Sequence, residues 1–154
     1  MKNIQLTEKQ LEMLKKRLKE QEEIDVDVEE TGTDDMGISE FGSRLLHSQS
    51  QTHIFHLQTD SYAEHKALQG YYEGIDALLD GLIEAYQGEF DIVKNYKSYP
   101  MKSYEGKESV ISFLEELVDY IRETTEDYPS FLKNIVDDIE VLTSSTLYKL
   151  KKLK

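Results

Sequence analysis

The sequence predicts an all-α protein, a bundle of four helices with a long crossover between the second and third helices. Apolar residues recur at intervals of three and four along four segments, which is the period of an α-helix with one buried face. Neither an alternating strand pattern nor an internal repeat is present in the sequence. With 154 residues, the chain is long enough to bury a sizeable core in one domain.

The second predicted helix carries the clearest pattern. Thr59, Asp60 or Ser61 can cap its start, and Gly88 is suited to its end. Its apolar stripe consists of Leu68, Tyr71, Tyr72, Ile75, Leu78, Leu79, Leu82, Ile83 and Tyr86. The first helix is predicted over residues 38–58, which contain no proline and a single glycine.

A crossover is predicted over residues 89–106, with a short helix at 90–96. The segment contains Pro100, a glycine and aromatic residues without helical period. A connection of this length lets the second and third helices run in the same direction, whereas a short loop would make them antiparallel. The third helix is predicted over residues 108–125. The fourth begins near Pro129, because proline is favoured in the first turn of a helix.

An N-terminal extension, residues 1–37, is predicted to precede the bundle, residues 38–154. Leucines at near-helical spacing predict a short amphipathic helix over residues 6–23. Residues 20–36 contain nine acids and no base, which indicates a solvated linker. We expect the helix to dock on another protein or to form a coiled coil.

Composition narrows the classes of function. A formal net charge of −13 argues against nucleic-acid binding over the whole surface, because lysine and arginine must neutralise phosphate charge. The chain has no cysteine, so a metal ion would be held by histidine and carboxylate ligands, which suit iron, manganese and zinc. The sequence shows no signal peptide and no membrane span. We therefore expect a cytoplasmic protein, in the host cytoplasm or the virion if a phage encodes it.

Histidines and acids form the group of residues most suited to chemistry. All four histidines of the chain fall within nineteen residues: His47, His53, His56 and His65. Three acids recur at intervals of four on the second helix and share one face: Asp76, Asp80 and Glu84. Taken separately, the acidic row is typical of the wet side of an amphipathic helix, and the histidines are typical of hydrogen-bonded surface or core positions. Taken together, imidazole and carboxylate on neighbouring helices suit a metal pair.

The spacing of four of these residues resembles the signature of the Dps mini-ferritins. His53 is followed by His65 twelve residues later, by Asp80 fifteen further on, and by Glu84 four beyond that. In the Dps family, a histidine on the first helix, another at the start of the second, and an aspartate and a glutamate later on the second form the ferroxidase site. The resemblance covers roughly residues 38–88.

This resemblance implies a ferritin-like fold with a di-iron site between subunits. His53 and His65 would come from one subunit, and Asp80 and Glu84 from its two-fold neighbour. It also implies a homo-oligomer, in the family usually a hollow twelve-subunit shell. Such a protein oxidises ferrous ions with peroxide or oxygen, and stores iron or protects against oxidative damage. Iron is the expected metal, with manganese and zinc as alternatives.

Two positions depart from the family pattern. Gln69 stands where the family has an aspartate, and Ile54 where it tends to have tryptophan. Both departures favour an alternative function, a non-catalytic oligomeric scaffold or interaction protein with the same bundle. DNA binding is the least favoured function, because five acids nearly offset the six basic residues of the first 23. For His56 a supporting ligand role and a surface role both remain open, and His47 is assigned no role.

Overall fold

The protein is all-α over the residues that this computed structural model describes, Glu12 and 37–153. Four helices and no strand are present in that part of the chain: α1 (Ile38–Gln58), α2 (Tyr62–Glu89), α3 (Lys107–Thr124) and α4 (Ser130–Lys152). The predicted four-helix bundle is confirmed. The predicted helix at 6–23 and the acidic linker lie outside the described residues, apart from Glu12. None of the described helices is long and apolar enough to cross a membrane.

Local chemistry determines where the helices begin. The Ser61 hydroxyl accepts a hydrogen bond from the Glu64 amide (3.4 Å), so it caps α2. Gly37 precedes α1 with a φ of 62°, and Gly106 precedes α3 with a φ of 103°. Residues that carry a Cβ rarely adopt such positive φ angles. Pro129 precedes α4 and starts it with a fixed φ. The boundaries predicted from sequence therefore agree with the structure to within a residue.

The four helices form a bundle in which each helix packs against two others around one apolar core. α1 packs against α2 and α3, and α4 also packs against α2 and α3. The largest fully buried side chains come from every helix: Tyr71, Phe41, Phe55, Ile38, Leu45, Leu68, Ile75, Leu82, Leu114, Ile121, Leu132 and Ile139. Burial of this apolar surface is the main term that holds the helices together.

The crossover, residues 90–106, contains no helix, so the predicted short helix at 90–96 is wrong. Asn95 has a φ of 61°, in the left-handed region that asparagine tolerates but a right-handed helix cannot include. The Val93 amide donates to the side chain of Gln87 (3.0 Å) rather than to a preceding carbonyl of the same segment. The backbone there is held by a side chain instead of by helical hydrogen bonds.

Hydrogen bonds attach the crossover along the length of α1. They follow both segments in the same order: Lys97 N to Ser43 Oγ (2.8 Å), Lys102 N to Gln51 Oε1 (2.7 Å), and Tyr104 N to Gln58 Oε1 (2.6 Å). The three-residue loop 59–61 makes α1 and α2 antiparallel. The crossover therefore returns the chain to the end of the bundle where α2 begins, and α3 runs in the same direction as α2.

The Gln51 side chain is the central attachment of the crossover. It is fully buried, its Nε2 donates to the Lys102 carbonyl (2.8 Å), and its Oε1 accepts from the Lys102 amide. We expect Gln51→Met to lower the free energy of unfolding by about 1–3 kcal/mol, because both partner groups on the Lys102 backbone lose their bonds. Urea unfolding followed by circular dichroism measures this.

Gln58→Met is the matched control for this substitution. Gln58 is also a glutamine on α1, but its bond to the Tyr104 amide is exposed, so water can replace it. We expect a loss below about 1 kcal/mol for the control. Equal losses in the two variants would contradict the assignment of Gln51 as the central attachment.

Glu40 connects the first turn of α1 to the crossover by charge. Its carboxylate lies 2.7 Å from Lys97 Nζ, accepts a hydrogen bond from the Tyr99 hydroxyl, and accepts one from Arg44 Nε at 3.1 Å. These bonds lower the pKa of Glu40 to about 2, and the bond with Lys97 has the largest effect. Burial acts in the opposite direction and raises the pKa.

Acid is expected to remove the contribution of Glu40 to stability. Because the pKa is lower in the folded state, the stabilisation is complete above pH 4.5 and is lost as the pH falls from 4.5 towards 2. We expect Glu40→Gln to cost about 1–2 kcal/mol at pH 7, after allowance for solvent screening, and the difference from wild type to vanish near pH 2.

Urea unfolding of both proteins over this pH range measures the difference, since the other acids contribute equally to each. Glu115→Gln, which removes an exposed ion pair with Lys151, is the control and should change stability by less than about 1 kcal/mol. A cost of Glu40→Gln that is constant down to pH 2 would contradict the assignment.

Candidate metal centre

His53 lies exposed on the outer side of α1 and is supported by α2. Its ring stacks on the ring of Tyr72, with centroids 4.2 Å apart and planes inclined by 17°. One turn later on α1, the His56 ring lies 5.8 Å from that of His53 and is only 7 % exposed. Tyr72 was predicted as part of the apolar stripe of α2, and it is half-buried because His53 covers one face of its ring.

His56 and His65 form a reciprocal pair across the corner between α1 and α2. His56 Nδ1 donates to the His65 carbonyl (2.9 Å), His65 Nδ1 donates to the His56 carbonyl (3.1 Å), and the rings stack at 3.6 Å. A carbonyl oxygen only accepts, so Nδ1 carries the hydrogen in both rings. In the neutral form each Nε2 then has a lone pair, the arrangement usual for metal-binding histidines, whose other nitrogen donates to a backbone carbonyl or a carboxylate.

The carboxylates of Asp80 and Glu84 are exposed on α2. Asp76, one turn earlier, accepts a hydrogen bond from Gln49 Nε2 (2.9 Å) and is tied to α1. The acidic row therefore lies on the wet side of α2, and its later two members are available to a cation or to another subunit.

The histidines and the two carboxylates are far apart within one chain. Fifteen residues of helix separate His65 from Asp80, which corresponds to a rise of about 22 Å. Among the residues that the structure describes, no three histidine, aspartate or glutamate side chains form a group that could hold a metal ion. A site that contains all four predicted ligands therefore needs two chains.

Gln69 is engaged with its neighbours on α2. Its Oε1 accepts from Lys66 Nζ, and its Nε2 donates to Glu73 Oε1 at 2.8 Å. The amide oxygen, which is the atom that would contact a metal ion, already has a cationic partner. Gln69 is consequently a weaker candidate ligand than the aspartate that stands at this place in the Dps pattern.

Apolar residues flank His53 on the exposed face of α1. Leu46 is 43 % exposed and Leu57 is 70 % exposed, seven residues before and four residues after His53. This spacing places all three on one face of the helix. The two leucines give this face of α1 some exposed apolar surface. Their exposure also shows that the apolar residues of α1 do not share one face, as those of α2 largely do.

The middle of the bundle offers no ligands of this kind among the described residues. Its buried polar side chains are hydroxyls and one amide: Ser43, Ser48, Gln51, Thr52, Thr143 and Thr146. The hydroxyls of Thr52 and Thr143, for example, donate to carbonyls one turn back in their own helices at 2.7 and 2.8 Å. The buried carboxylate among the described residues, Glu64, lies at the end of the bundle, where it accepts bonds from Tyr104 (2.8 Å) and Thr59 (2.9 Å).

The roles of two residues could not be read from the sequence. His56 was left open between a ligand role and a surface role, and the structure makes it the buried partner of His65. The sequence shows that His56 lies on the same side of α1 as His53, but its contact with His65 depends on the angle between α1 and α2.

For Glu64, the sequence contains one indication of a role at the start of α2, because it stands three residues after Ser61 as in a capping box.

Comparison with known proteins gives one match. The family described as "Family of unknown function (DUF5856)" matches residues 56–150, which run from His56 to the last turn of α4. No curated protein and no solved structure matches the chain.

The reciprocal pair predicts one tautomer for two rings. We expect the neutral forms of His56 and His65 to carry hydrogen on Nδ1, because each Nδ1 faces a carbonyl oxygen. Two-dimensional ¹⁵N NMR of the imidazole rings distinguishes the tautomers, and the exposed His53 gives the reference signal in the same spectrum. Hydrogen on Nε2 of His65 would contradict the pair and would remove the lone pair that a metal ion needs.

Proposed function

The chain belongs to the DUF5856 family of unknown function, and we propose that it is a ferritin-like oligomer that oxidises ferrous ions at sites shared by two subunits. The observation that carries the proposal is the pair of hydrogen bonds that holds His65 with Nε2 free for a metal ion. In each site, His53 and His65 come from one subunit. Asp80 and Glu84 come from its two-fold neighbour.

A two-fold axis fits the separation of the two halves. In an isologous dimer each subunit uses the same surface, so the start of one α2 can face the end of the other. That arrangement brings histidines and carboxylates together twice, once at each end of the paired helices. The exposed Leu46 and Leu57 beside His53 supply apolar surface for such a contact. Larger assemblies of these dimers, up to a hollow dodecamer, are part of the proposal.

The direction of the helices also supports a ferritin-like assignment. The crossover follows α1 and lets α2 and α3 run in parallel, which is the connectivity of bundles with one long crossover. The interior of the bundle carries hydroxyls rather than carboxylates, which favours a site at a subunit surface over a site in the core.

Ferrous ions are the substrate in this proposal. Two ferrous ions give one electron each to a peroxide molecule, which takes up two protons and leaves as two molecules of water. His53 and His65 hold the ions through neutral nitrogens, while Asp80 and Glu84 supply the negative charge that favours the ferric product. The net charge of −13 would attract the incoming cations. Manganese or zinc suits the same ligand types.

A second function, an oligomeric scaffold without catalysis, is favoured by one observation. Gln69 replaces an expected acidic ligand, and its amide is bound to Lys66 and Glu73. In this alternative the same surface of α1 and α2 forms the oligomer, while the four predicted ligands do not hold iron. The two proposals therefore differ in iron chemistry and agree on assembly.

Mixed oligomers test whether the site is shared between subunits. One variant carries His53→Ala and His65→Ala, and the other carries Asp80→Asn and Glu84→Gln. Each alone is expected to bind and oxidise almost no iron. When equal amounts are unfolded and refolded together, half of the dimers pair unlike chains, and each of these regains one intact site of two. About one quarter of wild-type activity should return, measured as ferric absorbance after addition of ferrous ions and peroxide.

The control is a variant with Asp137→Asn and Asp138→Asn, two exposed acids of α4, which should keep wild-type iron oxidation. Native mass is recorded for every sample. If the wild type assembles but oxidises ferrous ions no faster than buffer, the scaffold function replaces the ferroxidase. Activity that stays absent in the refolded mixture, although the wild type is active after the same refolding, contradicts a site shared in this way.

A further inference from the structure

A pocket unrelated to the candidate metal centre lies between α1, the crossover and α3. Its volume is about 190 Å³, and it is formed by Arg44 and His47 from α1, Tyr99 and Lys102 from the crossover, and Phe113 and Tyr120 from α3, among others. An apolar cavity of about 150 Å³ is known to hold one benzene ring. The pocket is therefore large enough for a single planar ring with a small substituent.

Aromatic rings form most of the walls, and His47 is fixed among them. Its ring contacts those of Tyr99 and Phe113, with centroids 5.4 and 5.8 Å apart, and its Nε2 donates to the Pro100 carbonyl (3.3 Å). Burial lowers the pKa of His47, and the nearby charges of Lys102 and Arg44 lower it further, while the bond to Pro100 opposes them. The lowered pKa favours the neutral ring, which adds aromatic surface rather than charge.

Arg44 supplies a positively charged group at this wall. Its guanidinium lies 4.4 Å from the centre of the Tyr120 ring and 5.2 Å from that of Tyr99, so both rings hold it in place. Its hydrogen bond to Glu40 uses Nε, and the two terminal nitrogens carry four further N–H donors. A planar guanidinium matches the two oxygens of a carboxylate, which is why arginine is favoured for that group.

The local charge is positive although the whole chain is strongly acidic. Three charged residues line the pocket, Arg44, Lys102 and Glu116, and their formal charges sum to one positive charge. Glu40, which pairs with Arg44, does not line the pocket and also pairs with Lys97. The lining is therefore positive on a chain of net charge −13. A ligand with a single negative charge would neutralise the positive charge of the pocket lining.

Tyr120 contributes its ring to the wall of the pocket. Burial raises the pKa of its hydroxyl, so this residue adds no negative charge beside Arg44 at neutral pH. A second cavity, of about 440 Å³, shares Phe113, Lys102 and Glu116 with the pocket and leaves room for substituents on a ring.

We propose that this pocket binds a small aromatic carboxylate, with one planar ring among the aromatic walls and the carboxylate at Arg44. The combination of a ring-sized cavity, a stacked guanidinium and a local surplus of one positive charge selects this class. A neutral ring would leave the terminal nitrogens of Arg44 without a carboxylate to bind, and a small anion without a ring would leave the aromatic walls uncovered. The proposal is independent of iron chemistry.

Calorimetric titration of the full chain with benzoate, benzamide and acetate tests the proposal. Benzoate should bind with a dissociation constant in the millimolar range or below, and the other two at least about tenfold more weakly. Arg44→Gln should lose about tenfold in benzoate affinity. Arg122→Gln, which also removes an α-helical arginine paired with a glutamate (Glu140, 2.6 Å) but lies outside the pocket, should bind as wild type does.

Leu117→Phe covers the case in which Arg44→Gln does not fold. Leu117 also lines the pocket, and the larger ring would occupy the space of the ligand while the ion pair of Arg44 stays intact. A folded Leu117→Phe protein should no longer bind benzoate. The proposal is overturned if benzoate does not bind at millimolar concentration, if benzamide or acetate binds equally well, or if folded Arg44→Gln or Leu117→Phe keeps wild-type affinity.

Discussion

The attachment of the crossover to α1 determines the topology of the whole bundle. Sixteen residues without helical structure, 91–106, must cross the length of the bundle, and their backbone groups need partners. Side chains of α1 provide several of them: the buried Gln51 is bonded to both backbone groups of Lys102, and Ser43 accepts from the Lys97 amide. Glu40 adds bonds to the side chains of Lys97 and Tyr99. Because of this path, α3 starts beside the start of α2 and runs parallel to it. A crossover that turned back earlier would give an ordinary up-and-down bundle.

The four helices could be predicted because their signals are local. Period, caps and breakers lie within each segment, and residues such as Ser61 and Pro129 act on the turn that follows them. The crossover could be predicted in length but not in conformation. Its shape depends on Asn95 in the left-handed region and on bonds such as that of Gln51 to Lys102, which join residues 51 apart in sequence. Contacts of that kind leave no periodic signal.

The candidate metal centre was predictable only in its parts. The spacing of His53, His65, Asp80 and Glu84 is visible in the sequence, whereas the bonds that orient His65 are not, since they depend on how closely the α1–α2 corner folds. The histidines and the carboxylates lie at opposite ends of an exposed surface. Their cooperation would require a symmetric pair of chains, and the fold of one chain does not determine such pairing.

The buried hydroxyls of the core have a consequence for how the helices stay aligned. Thr52 and Thr146 donate to carbonyls of their own helices, so these bonds would survive if one helix slid by a turn along its neighbour. The bond between Ser48 and Tyr71 (2.9 Å) differs, because it joins α1 to α2 within the core. A shift of one turn, about 5.4 Å, would break it, so the buried Tyr71 hydroxyl would lose this bond, while Ser48 would keep its bond to the Leu45 carbonyl (2.7 Å). This pair of hydroxyls therefore fixes the register of α1 against α2, much as a single polar residue can in a coiled coil.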